Sequence, residues 1–253
     1  MKKQALKGFV VAALLVSSHL LVSSHLWAEP LTDLQARLAS LRNDRTTRIK
    51  VEVELRHKGT APLHLNGIKK RGKAIVAYGP TGVKMIEQRW FGSSNRFSAW
   101  RKSKVETEIP LLDDVEAVDL IDPARSLELL LSDATLSSDE TVQWQGRPAR
   151  YLVIRPGLPA ADRQDGRAAG ESDPGPLTFE VGIWLDETGV PLAMERSMEL
   201  RFALLNVTEH QAFTYQQVDG RLLVDEARET FSGTALAVLR GRDAKKMKVT
   251  VLR

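Results

Sequence analysis

The alternating run from Leu192 to Phe202 carries the residue with the most pointed chemistry. Leu192, Met194, Met198, Leu200 and Phe202 share one parity with Arg196, while Glu195, Ser197, Glu199 and Arg201 hold the other. Side chains of one parity share one face of a strand, so the pattern sets a guanidinium among leucines, thioethers and a phenylalanine. A bare cation there costs several kcal/mol. Arg196 must therefore be paired or reach the rim of the apolar surface, where it could hold a ligand's polar head or latch a loop. The competing explanations are a β-bulge that turns it outward, or a side chain that snorkels to water. Met194 and Met198 add flexible thioethers, which suit a surface that adapts to mobile chains. Arg196, Met194, Met198, Leu200 and Phe202 are thus the candidate lining of a hydrophobic site.

Other reactive constellations are sparse. The chain has no cysteine, which removes thiol nucleophiles, thiolate metal sites and disulfides together. His57, His64 and His210 do not stand at a zinc-ligand spacing. Gly92-Ser93-Ser94 and Phe231-Ser232-Gly233 read as turns and lack the pattern of a nucleophile elbow. Asp113-Asp114 and Asp139-Glu140 lie in polar stretches and are expected as solvated turns. No phosphate-cradling glycine loop is present, so the sequence calls for no cofactor and points away from an enzyme. A catalytic set assembled only by folding stays open at this level. Trp90, Phe91, Phe97, Trp100, Trp144, Trp184, Phe202 and Phe213 would suit a pocket, but an ordinary core is the simpler use of them.

The elements that must position Arg196 follow from periodicity. Thr32-Asp33-Leu34-Gln35 has the form of a capping box, and Leu34, Leu38 and Leu41 fall on one face, predicting a helix from Asp33 to Leu41. From Arg48 the period becomes two: Ile49, Val51, Val53 and Leu55 alternate with Lys50, Glu52, Glu54 and Arg56. Strands are expected again at 73–78, 83–90, 96–100, 142–144, 149–155, 179–185, 192–202, 212–218, 222–229 and 248–252, about eleven in all. Gly79-Pro80-Thr81-Gly82, Asp186-Glu187-Thr188-Gly189 and Asp219-Gly220 supply hairpin turns, so the sheet is expected to be antiparallel with sequence neighbours paired. Asp122 as cap and Pro123 at the first position open a second helix through Leu127, Leu130 and Leu131 to Ser132. Between Pro156 and Pro176 lie four prolines and four glycines without periodicity, which predicts a mobile loop.

The first 28 residues have the order of a secretory leader. Lys2, Lys3 and Lys7 precede an apolar run from Gly8 to Leu26, and Trp27-Ala28 offers a cleavage point before Glu29. Within it Leu15-Val16-Ser17-Ser18-His19-Leu20 is duplicated as Leu21-Val22-Ser23-Ser24-His25-Leu26. The run reaches the length of an uncleaved anchor, but its serines and histidines dilute it, favouring cleavage. Three of the 36 basic residues leave with the leader and all 32 acidic ones stay, so the processed chain carries +1. That balance gives no support for nucleic-acid binding. Residues 29–253 are expected to form a single domain.

A leader, one amphipathic helix and a long antiparallel sheet interrupted by a helix together resemble the periplasmic lipoprotein-carrier superfamily, the LolA/LolB-like proteins. Asp122-Pro123 before a leucine-rich helix adds to the likeness, as does Gln145-Gly146-Arg147-Pro148-Ala149 leading into Tyr151-Leu152-Val153-Ile154. So does Ile183-Trp184-Leu185-Asp186 continuing through Gly189 to Pro191-Leu192. The resemblance implies a mainly β (α+β) fold, a curved antiparallel sheet forming an unclosed β-barrel, with two or three short helices over its concave face. It implies a non-enzymatic, periplasmic carrier whose partner is a lipid or acylated lipoprotein, with envelope membrane proteins as further partners. Alternatives are an envelope sensor on the same scaffold and, more distantly, an envelope hydrolase. The carriers use an inner arginine on an early strand, so none of their residues maps onto Arg196.

Overall fold

Alternation beginning at Ile49 becomes a strand with one buried and one wet face, and nine more strands join it. The computed structural model describes residues 30–59, 69–79, 81–93, 111–157, 177–202, 205–235 and 239–252. The leader, the strand expected at 96–100, and the 156–176 segment beyond its first two residues lie outside these. In chain order the elements are α1 (Pro30–Ser40), β1 (Thr47–Gly59), β2 (Lys69–Gly79), β3 (Gly82–Ser93), α2 (Asp114–Ile121) and α3 (Pro123–Leu131). Then follow β4 (Thr135–Trp144), β5 (Arg147–Arg155), β6 (Leu177–Leu185), β7 (Pro191–Phe202), β8 (Leu205–Val218), β9 (Arg221–Ala235) and β10 (Leu239–Leu252).

All ten strands form one antiparallel sheet in the order β3-β2-β1-β10-β9-β8-β7-β6-β5-β4. Hairpins make most of these neighbours, as the turn signals require. Gln145 and Gly146 have φ of 49° and 78°, and Asp219 and Gly220 have 52° and 79°. Two consecutive positive φ values match the right-handed twist of the flanking strands. In the β6–β7 turn Asp186 accepts from the amides of Thr188 (2.8 Å) and Val190 (2.9 Å).

The strand order departs from sequence adjacency in two places. β1 pairs with the final strand, Arg48 opposite Leu252 and Val53 opposite Met247. β3 and β4 stand at opposite edges, and the part of the chain between them in sequence carries α2, which packs on β2, β3 and β9, and α3, which packs on β9. In that part Leu111, Leu112, Ala117, Leu120, Ile121, Ala124, Leu127 and Leu131 are buried in one core with Leu34, Leu38, Ile49, Val51, Leu152, Ile154, Ile183, Leu222 and Val224. The face of the sheet that these residues share is called the inner face below.

Several local expectations are corrected. α1 begins at Pro30, which places Thr32 within the first turn and not at a cap. Asp113-Asp114 is no solvated turn: Asp113 caps α2 in a reciprocal box with Glu116, at 2.7 and 2.9 Å. Asp139-Glu140 lies within β4. Asp122 does stand before α3, but its carboxylate accepts from the Asn43 amide (3.3 Å) and makes no side-chain cap.

That contact belongs to a buried polar hub. Asn43 donates to the Ile121 carbonyl (3.3 Å), and its side-chain oxygen accepts from Thr47 (3.0 Å) and Arg221 (3.1 Å). The hub ties the α1–β1 link, the α2–α3 junction and β9 together. Replacing Asn43 by alanine strands several buried polar groups at once. Asn43→Ala should lower unfolding stability by about 1–3 kcal/mol, read from urea denaturation, whereas Asp44→Asn at the exposed neighbour should leave it within about 0.5 kcal/mol.

Candidate functional site

Arg196 lies in an unbroken ladder, with Val181 on β6 and Gln211 on β8 as its register partners. The β-bulge explanation is therefore excluded. Its side chain is on the inner face, where its Nε donates to Gln211 and its terminal nitrogen approaches Asp119 of α2 at 3.8 Å. The guanidinium carbon is 5.6 Å from the Phe213 ring centre. Pairing, the first solution that the apolar strand demanded, is the one adopted.

Arg196 is one member of a polar row running across the inner face. Reading outward from β7, the register places Arg196, Gln211, Glu229, Lys245, Leu55 and Lys70 side by side. Gln211 also donates to Glu209, and Lys245 donates to Glu116 of α2. Two contacts thus join α2 to the sheet, Asp119 with Arg196 and Glu116 with Lys245. Burial raises the Asp119 carboxyl, against the opposing pull of Ser126 and Arg196. Burial likewise raises Glu229, with Lys245 pulling it down and Glu116 and Glu209 pushing it up.

On one side of this row the helices lie on the sheet and fill the space. Met194 is 6% exposed there, and of two cavities of about 20 Å³, each room for about one water, one lies between α2, α3 and β7–β8 and the other between α2 and β7–β10. On the other side the inner face continues without those helices. Phe179 stands beside Met198, Leu177 beside Leu200 and Val207, and Phe202 beside Leu205, while Glu209 next to Met198, and Asp243 and His57 beyond Phe231, bring polar groups onto the same face. Phe202 is 58% exposed, Phe231 39% and Leu205 37%. Of the five residues singled out in the sequence, Arg196 and Met194 thus sit at the helix-covered side, and Met198, Leu200 and Phe202 on the open apolar side.

A separate depression of about 410 Å³ lies among β4, β5 and the β6–β7 turn, lined by Asp139, Thr141, Arg150, Asp186 and Glu187. Arg150 grips Asp139 with two bonds, 2.8 and 2.6 Å, and holds that carboxyl below the usual range. The lining of that depression mixes these polar groups with Pro148, Ala149 and Leu185. The residues missed in the sequence, Gln211 and Lys245, break the apolar parity of β8 and β10 just as Arg196 breaks that of β7. They fell before the expected starts of those strands.

No family model matches the chain, and no curated protein matches it. Among solved structures, the low pH structure of Pseudomonas putida OprB aligns over 81% of this chain and 92% of that chain, at 8% identity and a TM-score of 0.17. Similarity at that level carries no argument about this chain's fold or function. Among the described residues no helix is long and apolar enough to cross a membrane.

The buried carboxyls give a signed pH dependence. A carboxyl whose folded pKa is raised binds its proton more tightly in the native state, so its stabilising contribution is present at low pH and is lost as pH rises through the raised value. Asp139, held low by Arg150, acts in the opposite sense at lower pH. Asp119→Asn should therefore lose less unfolding free energy than the native chain between about pH 4 and about pH 7, measured by denaturant titration at each pH; identical slopes would remove Asp119 from the account.

Proposed function

We propose that this protein is a non-enzymatic carrier of the bacterial envelope that binds an acyl chain on the inner face of its sheet. The observation that carries the reading is the division of that face by the polar row: a packed, helix-covered half on one side and an open half on the other that is apolar along β6 to β8 apart from Glu209. The acyl chain lies along Met198, Leu200 and Phe202 with Phe179, Leu177, Val207 and Leu205. Burying it there contributes about 0.8 kcal/mol per methylene. The sheet curls into an unclosed barrel around this chain, since among the described residues three short helices are too little to cover one whole face of the ten-stranded sheet.

The polar row sets where the ligand's head stops. Arg196 is already engaged by Gln211 and Asp119, so it bounds the apolar surface and limits penetration toward α2 and α3. Met194, on the packed side, supports Arg196 and touches no ligand. The leader takes the chain to the periplasm, where a lipid or an acylated lipoprotein is the cargo and envelope membrane proteins are its donor and acceptor.

Native mass spectrometry of the full chain purified from the envelope should show a bound lipid mass. Leu200→Asp and Met198→Asp should each remove that mass while leaving the circular dichroism spectrum unchanged, because both positions are only half-buried. Met194→Leu, on the covered side, should retain it. A folded chain that carries no lipid yet holds a stable protein partner would replace the carrier with the sensor reading.

A further inference from the structure

The opposite face of β4–β7 carries a second constellation, separate from the proposed acyl surface. Tyr151 on β5 is the register partner of both Glu140 on β4 and Trp184 on β6. The Tyr151 and Trp184 ring centres are 4.5 Å apart, and Trp184 and Trp144 are 5.1 Å apart, tilted by 34° and 40°. All three rings are half-buried although the helices pack on the other side of the sheet. A side chain at position 182 would forbid this arrangement. A Cβ on Gly182 would come within 2.4 to 2.9 Å of the Tyr151 phenol.

Carboxylates surround the rings. Burial raises the Tyr151 hydroxyl above its ordinary value, and Glu195, Glu180 and Glu140 each raise it further. Glu140, Glu180 and Glu195 are exposed, and among the described residues none of them is in an ion pair. Arg147 and Arg155 stand at the two ends of β5, Arg147 as the register partner of Trp144, and neither is in an ion pair with these acids. Cross-strand aromatic pairs stabilise sheets by themselves, but that role calls for no ring of unpaired acids.

Aromatic faces beside carboxylates attract cations through the ring quadrupole and through charge. The span decides which cation. Glu140 on β4 and Glu195 on β7 are three strand spacings apart, about 14 Å. A single ammonium cannot bridge that distance, whereas an extended chain bearing two or more basic side chains can. We propose that this face docks a basic segment of a partner protein, with arginine or lysine side chains over Trp144, Trp184 and Tyr151 and between Glu140, Glu180 and Glu195.

The test is fluorescence anisotropy of the full chain with a labelled peptide that alternates arginine and threonine, run alongside intrinsic tryptophan emission. The native chain should bind with a tryptophan change, and binding should weaken as salt rises. Glu140→Gln, Glu180→Gln and Glu195→Gln combined should weaken binding about tenfold or more. Asp44→Asn, Glu87→Gln and Asp133→Asn combined, which remove the same charge elsewhere, should change it less than about twofold. Trp184→Phe should retain most of the affinity and Trp184→Leu should lose it, with dichroism confirming the fold of each. Equal weakening by both charge sets, absence of binding, or unchanged tryptophan emission would overturn the proposal. Binding of phosphatidylcholine vesicles through the same residues, in place of the peptide, would also overturn it.

Discussion

β3 and β4 form opposite edges of the ten-stranded sheet, and the rest of the described structure depends on the helices that the chain places on the inner face between those two strands in sequence. β1 enters mid-sheet, β2 and β3 build outward to one edge, and the next strand begins at the other. The intervening α2 and α3 are laid across the inner face and cover what they can reach. Their apolar side chains, from Leu111 to Leu131, join the core there. With eight and nine residues, they are about 12 and 14 Å long, too short for the whole face. The division into a packed half and an open half follows from length.

Polar contacts then fix where the helices sit. The Asn43 hub secures the α2–α3 junction to Thr47 and Arg221. At the far side of α2, Asp119 and Glu116 meet Arg196 and Lys245. Apolar packing between a helix and a sheet is non-directional, whereas these contacts are specific in position. The same row that holds α2 also marks the border of the open apolar surface. Structural anchoring and the proposed limit on ligand entry are therefore one set of residues.

Much of this was legible from residue patterns. Alternation located β1, β2, β3, β5, β6 and β7, and the glycine-bearing turns located the hairpins, because strand parity and positive φ are local properties. Arg196 was found for the same reason. Glu229 was hidden because the irregularity opposite Thr214–Tyr215 shifts the parity of β9, so its inward direction cannot be counted from Leu222 and Val224. α2 was hidden by its acids: Asp113-Asp114 reads as a solvated turn, yet with Glu116 it is what a helix start requires. Asp119 on the same helix became visible only with it.

The sequence by itself determined the strands, their antiparallel hairpins and the presence of a cation on an apolar strand face, since each is written within about a dozen neighbouring residues. Tertiary structure alone decided that β1 pairs with β10, that β3 and β4 lie at opposite edges, and that Arg196 meets Asp119 across 77 positions of chain. Such long-range choices rest on which assembled face most apolar surface can share and which buried charges find partners there. No local window of residues contains that information.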